Sequence, residues 1–181
     1  VRVYIGNPDD GGSMTFEEFA VARLPAVLRF AGVLTGDRAL AEDVVQEVLI
    51  RAYLRWEHIA GMSLPEQYVR KMVVNEFLSW RRRSWRTVPA GPGADFCTME
   101  APDHAAEHAN RDALLAVLTK LPRRQRAVVV LRYYEGFSET EIADMLGCRP
   151  ATVRGYSARA LATLRAALAH HAPMAFQEGL K

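Results

Sequence analysis

From Thr15 to about Arg86, apolar side chains recur at intervals of three and four residues with few glycines or prolines between them. That spacing belongs to amphipathic helices and not to strands. A first helix is expected from about Thr15 to Leu34, with Phe16, Phe19, Leu24, Val27, Leu28 and Ala31 as its apolar stripe. Thr15 and Glu18 have capping-box spacing, in which each side chain accepts a bond from the other residue's backbone N–H. Pro25 has no N–H to donate and is expected to kink or divide this helix. Thr35-Gly36-Asp37 reads as a turn and a fresh cap. A second helix is expected from about Arg38 to Trp56, and a third from about Leu64 to Arg86 with Pro65 in its first turn.

The pattern then lapses. Val88 to Asp103 reads VPAGPGADFCTMEAPD, rich in proline and glycine and without a helical stripe, a composition suited to a linker. Helical spacing resumes from about Ala105 to Thr119, Arg123 to Tyr134, Glu139 to Met145 and Pro150 to Ala169. The expected fold is all-α: two small helical domains, 14–87 and 105–170, joined by a flexible linker at 88–104. Residues 1–13 form an N-terminal extension expected to be disordered, and 171–181 a tail. Val1 to Ser13 has no long apolar core of the kind a signal peptide needs. Val rather than Met stands first, so Met14 is a candidate start.

The segment from Ser138 to Arg165 carries the punctuation of a helix-turn-helix. Ser138 and Glu141 form a second capping-box pair, Ile142, Ala143 and Leu146 face inward, and Gly147 suits a residue of positive φ that stops the helix. Pro150 then opens a longer helix with Val153, Tyr156, Ala160, Leu161 and Leu164 as its inward positions. Its outward positions, Arg149, Thr152, Arg154, Ser157, Arg159 and Arg165, are basic or hydroxylic, and no acidic residue lies between Pro150 and Ala169. Arginine can bond guanine in bidentate fashion, and hydroxyls reach phosphates or base edges. Pro150, Ala151 and Gly155 belong to the same opening turns. Gly155 costs about 1 kcal/mol against Ala inside a helix.

Charge is segregated, which matters more than the net value of +2. Leu40, Val44, Val48 and Leu49 form an inward stripe in the second helix, while Glu42, Asp43, Gln46 and Glu47 lie elsewhere around it. This acidic surface fits either a solvated face or a protein-docking surface. No His or Cys shares it to complete a metal site, and a nuclease reading lacks further convergent ligands. The third helix is the reverse. From Gln67 onward, Arg70, Lys71, Arg81, Arg82, Arg83 and Arg86 are opposed only by Glu76, with Trp80 and Trp85 interleaved, Tyr68 before them and Phe77 expected in the core. Arginines beside aromatics suit phosphate neutralisation and base stacking on single strands. Cys97 and Cys148 have no metal-site spacing and read as reduced thiols. His104 with His108, and His170-His171, read as surface histidines. No apolar run is long enough to span a bilayer.

With these motifs in place, the chain resembles the extracytoplasmic-function (ECF) sigma factors of the sigma-70 family, in the sigma-E-like group, from about Met14 to Ala169. DVVQEVLIRAY at 43–53 is similar to region 2.2, YVRKMVVNEFLSWRRR at 68–83 to regions 2.3 and 2.4, and the run from Leu121 to Arg165 to region 4. Leu121-Pro122 and Arg159-Ala160 are typical of region 4. Ser79 stands where the family often has Asp, Gly155 where Ser is common, and no region 3 domain intervenes. The resemblance implies a promoter-specificity factor with no catalytic residues, cofactor or metal. It implies polymerase binding through Glu42, Asp43, Gln46, Glu47 and Ile50. It implies −10 DNA binding through Arg70, Lys71, Asn75, Trp80, Arg81, Arg82 and Arg83. It assigns −35 binding to Arg149, Pro150, Ala151, Thr152, Arg154, Gly155, Ser157 and Arg159. The implied partners are core RNA polymerase (the β′ clamp and β flap), promoter DNA and an anti-sigma factor, with a cytoplasmic setting and no membrane contact. A stand-alone helix-turn-helix regulator is the rival reading, but it leaves the acidic helix and the Arg/Trp helix without a task.

Overall fold

A computed structural model describes residues 14–83 and 114–169. The expected extension, linker and tail, with Trp85, Arg86, Cys97 and the four histidines 104, 108, 170 and 171, lie outside the described residues.

Helix α1, Phe16–Thr35, begins with the expected box: Glu18 N donates to Thr15 Oγ1 at 3.2 Å and Thr15 N to Glu18 Oε2 at 2.8 Å. It runs through Pro25 undivided. The missing N–H would have bonded Val21 O, and both residues sit on the exposed side, where water reaches the orphaned carbonyl. Gly36, at φ +71°, ends the helix with its N–H on Gly32 O at 2.8 Å. Asp37 caps α2, Arg38–Tyr53, through Leu40 N at 2.9 Å. That helix stops three residues short of the expected end. A separate short helix, α3, Trp56–Ala60, follows because Ile59 is fully buried and the Trp56 ring packs on Phe16 and Phe19, with centroids 5.5 and 4.8 Å apart. Helix α4 spans Pro65–Arg83.

The second module opens with α5, residues 114–120, and α6, Arg123–Val129. The stretch expected to continue α6 instead forms a π-helical turn, Val130–Tyr134, closed by Glu135 N on Val130 O at 3.1 Å. The wider turn brings Phe137 back into the core, its N–H on Leu131 O at 3.0 Å. Helix α7, Glu139–Leu146, carries the second capping box, and α8, Pro150–Ala169, starts at the expected proline.

Helices α1, α2 and α4 pack together, α8 packs on α6 and α7, and α4 also touches α6 and α7. The modules therefore share a core. One apolar cluster runs from Phe30, Val44, Val74 and Phe77 of the first module to Val128, Leu131, Ile142 and Val153 of the second. A smaller cluster, Val117, Leu118, Leu121, Val129, Ala160 and Leu164, holds α5 on α6 and α8 and is touched by Val33 of α1.

Candidate nucleic-acid interface

In the helix-turn-helix, Gly147 at φ +61° reverses the chain after α7, and Cys148 N donates to Ala143 O at 3.0 Å. Helix α8 is seated by Val153, Ser157, Ala160 and Leu164, spaced four, three and four apart. Ser157 was expected to face outward. It is 5% exposed, because it falls on the inward stripe between Val153 and Ala160. Arg149, Ala151, Arg154, Arg159 and Arg165 are exposed, whereas Pro150, Thr152 and Gly155 are half-buried. A Cβ at Gly155 would meet only Arg159 Nη2, at an ordinary 3.7 Å, so packing does not demand the glycine. Arg154 is held by Glu139, Nη1 to Oε2 at 3.1 Å, and the other oxygen of Glu139 accepts from Arg132 Nη1 at 2.5 Å. The Arg132 bond, with Arg154 adding to it, pulls the Glu139 carboxyl below its ordinary range.

The basic helix α4 is less uniformly basic than its sequence. Asn75 is exposed and Lys71 half-exposed. Arg70 is turned into the structure, bonded to Glu66 at 2.5 Å and paired with Glu135 of the second module at 2.9 Å. Expected to bind DNA, it is here held between two carboxylates. Glu76 does not oppose the arginines at the surface either. It is 1% exposed and bonded to Arg51 of α2. Phe77 is in the core, as expected. Trp80, Arg81, Arg82 and Arg83 complete α4, and their side chains lie outside the described residues. A polar cavity of about 360 Å³ opens beside Asn75, lined also by Arg51, Glu76, Leu78 and Ser79, and across from them by Arg124 and Leu146.

On α2, Val44 and Val48 are buried as expected, and Leu40 and Leu49 half-buried. Glu42, Asp43 and Gln46 are exposed and Glu47 is half-exposed. Arg38 pairs with Glu42 at 2.8 Å and Arg51 with Glu47 at 3.4 Å. Beside these carboxylates stands an apolar patch: Ile50 at 53% exposure, Tyr53 at 57% and Leu54 at 74%. Of these the sequence points only to Ile50; Tyr53 and Leu54 join it because α2 stops at Tyr53. No group of three or more His, Cys, Asp or Glu side chains converges among the described residues, and none of their helices is long and apolar enough to cross a membrane.

Family models for sigma-70 region 2 and sigma-70 region 4 match residues 20–87 and 111–164. The RNA polymerase sigma-E factor of Streptomyces avermitilis is 38% identical over 156 residues, 86% of each chain. The chain belongs to the sigma-70 family. It is an RNA polymerase sigma factor of the ECF kind. The ECF RNA polymerase sigma factor SigL of Mycobacterium tuberculosis is 35% identical over 141 residues, covering 74% of this sigma factor and 78% of that one. The fold is also that of a solved sigma factor, RpoE of Bartonella quintana in complex with the anti-sigma factor NepR. That match has a TM-score of 0.66 at 24% identity, over 85% of this chain and 96% of the other. CnrH in complex with the cytosolic domain of CnrY aligns with a TM-score of 0.54, also at 24% identity, over 86% and 88%. The two matched regions coincide with the two modules, so α1 to α4 lie in region 2 and α5 to α8, with the helix-turn-helix, in region 4.

Proposed function

We propose that α2 docks on the β′ clamp of core RNA polymerase, that α4 reads and opens the −10 element, and that α8 reads the −35 element in the major groove. The observation that carries this reading is the opposite character of the exposed faces. Asp43 and Gln46 stand beside Ile50, Tyr53 and Leu54 on α2 and its C-cap, whereas Arg154 and Arg159 stand on α8, with Arg149 just before it, and no acidic residue lies in that helix. An apolar patch beside carboxylates fits a protein surface that offers both apolar area and cations. A basic helix seated by a helix-turn-helix fits duplex DNA. At Asn75, an exposed amide at the mouth of a polar cavity is placed to hydrogen-bond an unpaired base, and Trp80 with Arg81, Arg82 and Arg83 follows on the same helix.

Thr152 supports Arg149 and Arg154 at the start of α8, and Ser157 acts by packing rather than by contact. The phosphodiester chemistry belongs to polymerase, and no side chain of this chain takes a covalent step. The working setting is the cytoplasm, where polymerase and promoter are found. The β flap is the expected second contact, through region 4, and an anti-sigma factor is the expected inhibitor, since the sigma factors of similar fold are seen with such partners.

Run-off transcription with purified core polymerase tests the reading. The chain should initiate at discrete promoters, and Asp43→Arg should lower core binding at least tenfold while leaving duplex binding by α8 intact. Unchanged core binding by that variant would remove α2 from the docking surface.

A further inference from the structure

We infer that Glu139 is a specificity-determining positioning residue of the helix-turn-helix: by holding Arg154 at one end of its guanidinium, it makes that arginine the reader of a base pair rather than a phosphate clamp. The inference deepens the reading of duplex DNA by α8 proposed above and rests on it.

Glu139 is the first residue of α7, directly after the Ser138 cap. The carboxylate of the capping box, Glu141, is turned back on that cap, its Oε2 accepting from Ser138 N at 2.8 Å. Glu139 takes the opposite course and leaves its own helix in two directions. One oxygen accepts from Arg154 Nη1 of α8 at 3.1 Å and the other from Arg132 Nη1 of the π turn at 2.5 Å. Side-chain exposure rises from 27% at Glu139 through 35% at Arg132 to 61% at Arg154. Arg132 therefore anchors the carboxylate, and the carboxylate carries the outermost arginine. The first turn of a helix favours a negative charge. The Arg132 bond, with Arg154 adding to it, keeps the carboxyl below its ordinary range, so the brace is ionised wherever DNA is bound.

Arg154 differs in this from its neighbours. Among the described residues, Arg149, Arg159 and Arg165 have no carboxylate partner, and the Arg159 guanidinium lies instead 5.3 Å from the Tyr156 ring centroid. Only Nη1 of Arg154 is engaged, and its Nε and Nη2 have no partner among the described residues. Those two N–H groups lie side by side in one plane, the fork with which arginine bonds two acceptors of guanine.

A bare arginine beside a duplex is drawn to the backbone, where one charge stands every ~1.7 Å of axis. Such a contact fixes register and carries no sequence information. A carboxylate on the same guanidinium offsets that attraction and repels the phosphate. A base edge has no net charge and is not repelled. Bracing also removes rotamers that the long side chain would otherwise lose on binding. Glu139 thus lowers affinity for DNA in general and raises discrimination at the base pair that Arg154 meets.

Selection from random-sequence duplex DNA, with holoenzyme assembled from the full chain and core polymerase, tests this. The unmodified holoenzyme should enrich an upstream motif in which one base pair, met by Arg154, is preferred at least about fivefold. Glu139→Ala should bring that base pair to within about twofold of equal use and leave the rest of the motif as it was. It should also steepen the fall of log K with log salt by about 0.9, the increment of one more phosphate contact. Arg154→Ala should relax the same base pair, and adding Glu139→Ala should relax it no further, since the carboxylate acts through the arginine. Arg132→Gln separates this role from a mere staple between the π turn and α7: the preference should persist, because Arg154 keeps its partner. If Glu139→Ala loses helix by circular dichroism, Glu139→Gln takes its place with the same expected relaxation and salt slope. An unchanged motif and salt slope without Glu139, or a preference lost equally in Arg132→Gln, would overturn the inference and leave DNA reading by α8 intact. An unmodified holoenzyme that enriches no upstream motif would overturn that reading itself, and the inference with it.

Discussion

Replacing Arg51 with Met should weaken region 2 at the junction between α2 and α4. Arg51 lies on α2 and Glu76 on α4, and their side chains are 38% and 1% exposed. Breaking a fully buried ion pair by removing one partner costs about 3–5 kcal/mol, because a charge is left in low dielectric. Arg51 is more than a third exposed, so water already screens part of the attraction, and the expected loss is about 2 kcal/mol. With a urea dependence of about 2 kcal/mol per molar, the midpoint should fall by about 1 M at unchanged slope, read by far-ultraviolet circular dichroism. Replacing both charges, Arg51→Met with Glu76→Leu, should return to within ~1 kcal/mol of the original, since an apolar pair of similar volume replaces the ions without an orphan. The coupling between the two substitutions should exceed about 1 kcal/mol. If the double variant loses the sum of the two single losses, Arg51 is not what keeps Glu76 in the core.

Contact with α5 makes Gly36 stricter than Gly147. Both have positive φ, +71° and +61°, but a Cβ at Gly36 would run into Thr119 Cγ2, whereas nothing lies within 4 Å of one at Gly147. Gly147→Ala should cost about 1–2 kcal/mol for its backbone alone. Gly36→Ala should cost at least ~1 kcal/mol more, as a contact of that kind overpacks, and Thr119→Ala should remove the excess in thermal unfolding. Gly155→Ala should stabilise α8 by about 0.5–1 kcal/mol, since the position is helical and the methyl has room. Stability at Glu135 should rise as pH falls. Burial raises the Glu135 pKa above 4.5, Glu66 adds to the rise, and Arg70 opposes it. The folded chain thus binds the proton more readily than an unfolded one with Glu135 in water. The gain should appear as pH falls through the raised value, be complete below the ordinary value of 4.5, and vanish in Glu135→Gln. Urea unfolding across pH 4 to 8 reads it.

Features decided within three or four residues were legible in the sequence. The Thr15–Glu18 and Ser138–Glu141 boxes, the Asp37 cap, the Gly147 stop and the Pro150 start all depend on neighbours along the chain, and all were found where expected. The charged residues were less legible, because a carboxylate or guanidinium has the same local signature whether it meets water or a distant partner. Glu76 and Arg70 looked like parts of one basic face until α2 and the π turn supplied Arg51 and Glu135. Arg126 of α6 is buried and donates to Thr35 O and Leu34 O at the end of α1. A sequence trace of it does exist: with Val129, Val130 and Tyr133 it stands at helical spacing, in line with an apolar stripe. Nothing local says that the carbonyls it needs lie 91 and 92 residues back. Ser157 was misplaced for a simpler reason. A hydroxyl suggests an outward position, but 157 lies on the inward stripe between Val153 and Ala160 whatever residue stands there.

The composition of the contact between the modules also bears on how they part. A cation at the end of a partly buried helix contributes up to about 2 kcal/mol, and its desolvation acts against it. The remaining strength comes from apolar contact between α4 and α6–α7, which closing the chain on itself secures without the loss of translational freedom that two separate molecules incur. Shifting a two-state equilibrium from 1:99 to 99:1 takes about 5.5 kcal/mol of differential binding. A nanomolar complex supplies about 12 kcal/mol in all, so docking of α2 on polymerase can part the modules only if a large share of that energy is withheld from the packed form. The patch formed by Ile50, Tyr53 and Leu54 is already exposed when the modules are together, so the docking proposed for α2 would by itself favour neither form. The discrimination must come from the second contact. Polymerase that also holds region 4 at the distance of the −35 element binds only the parted chain, and the two contacts together can act where either alone cannot.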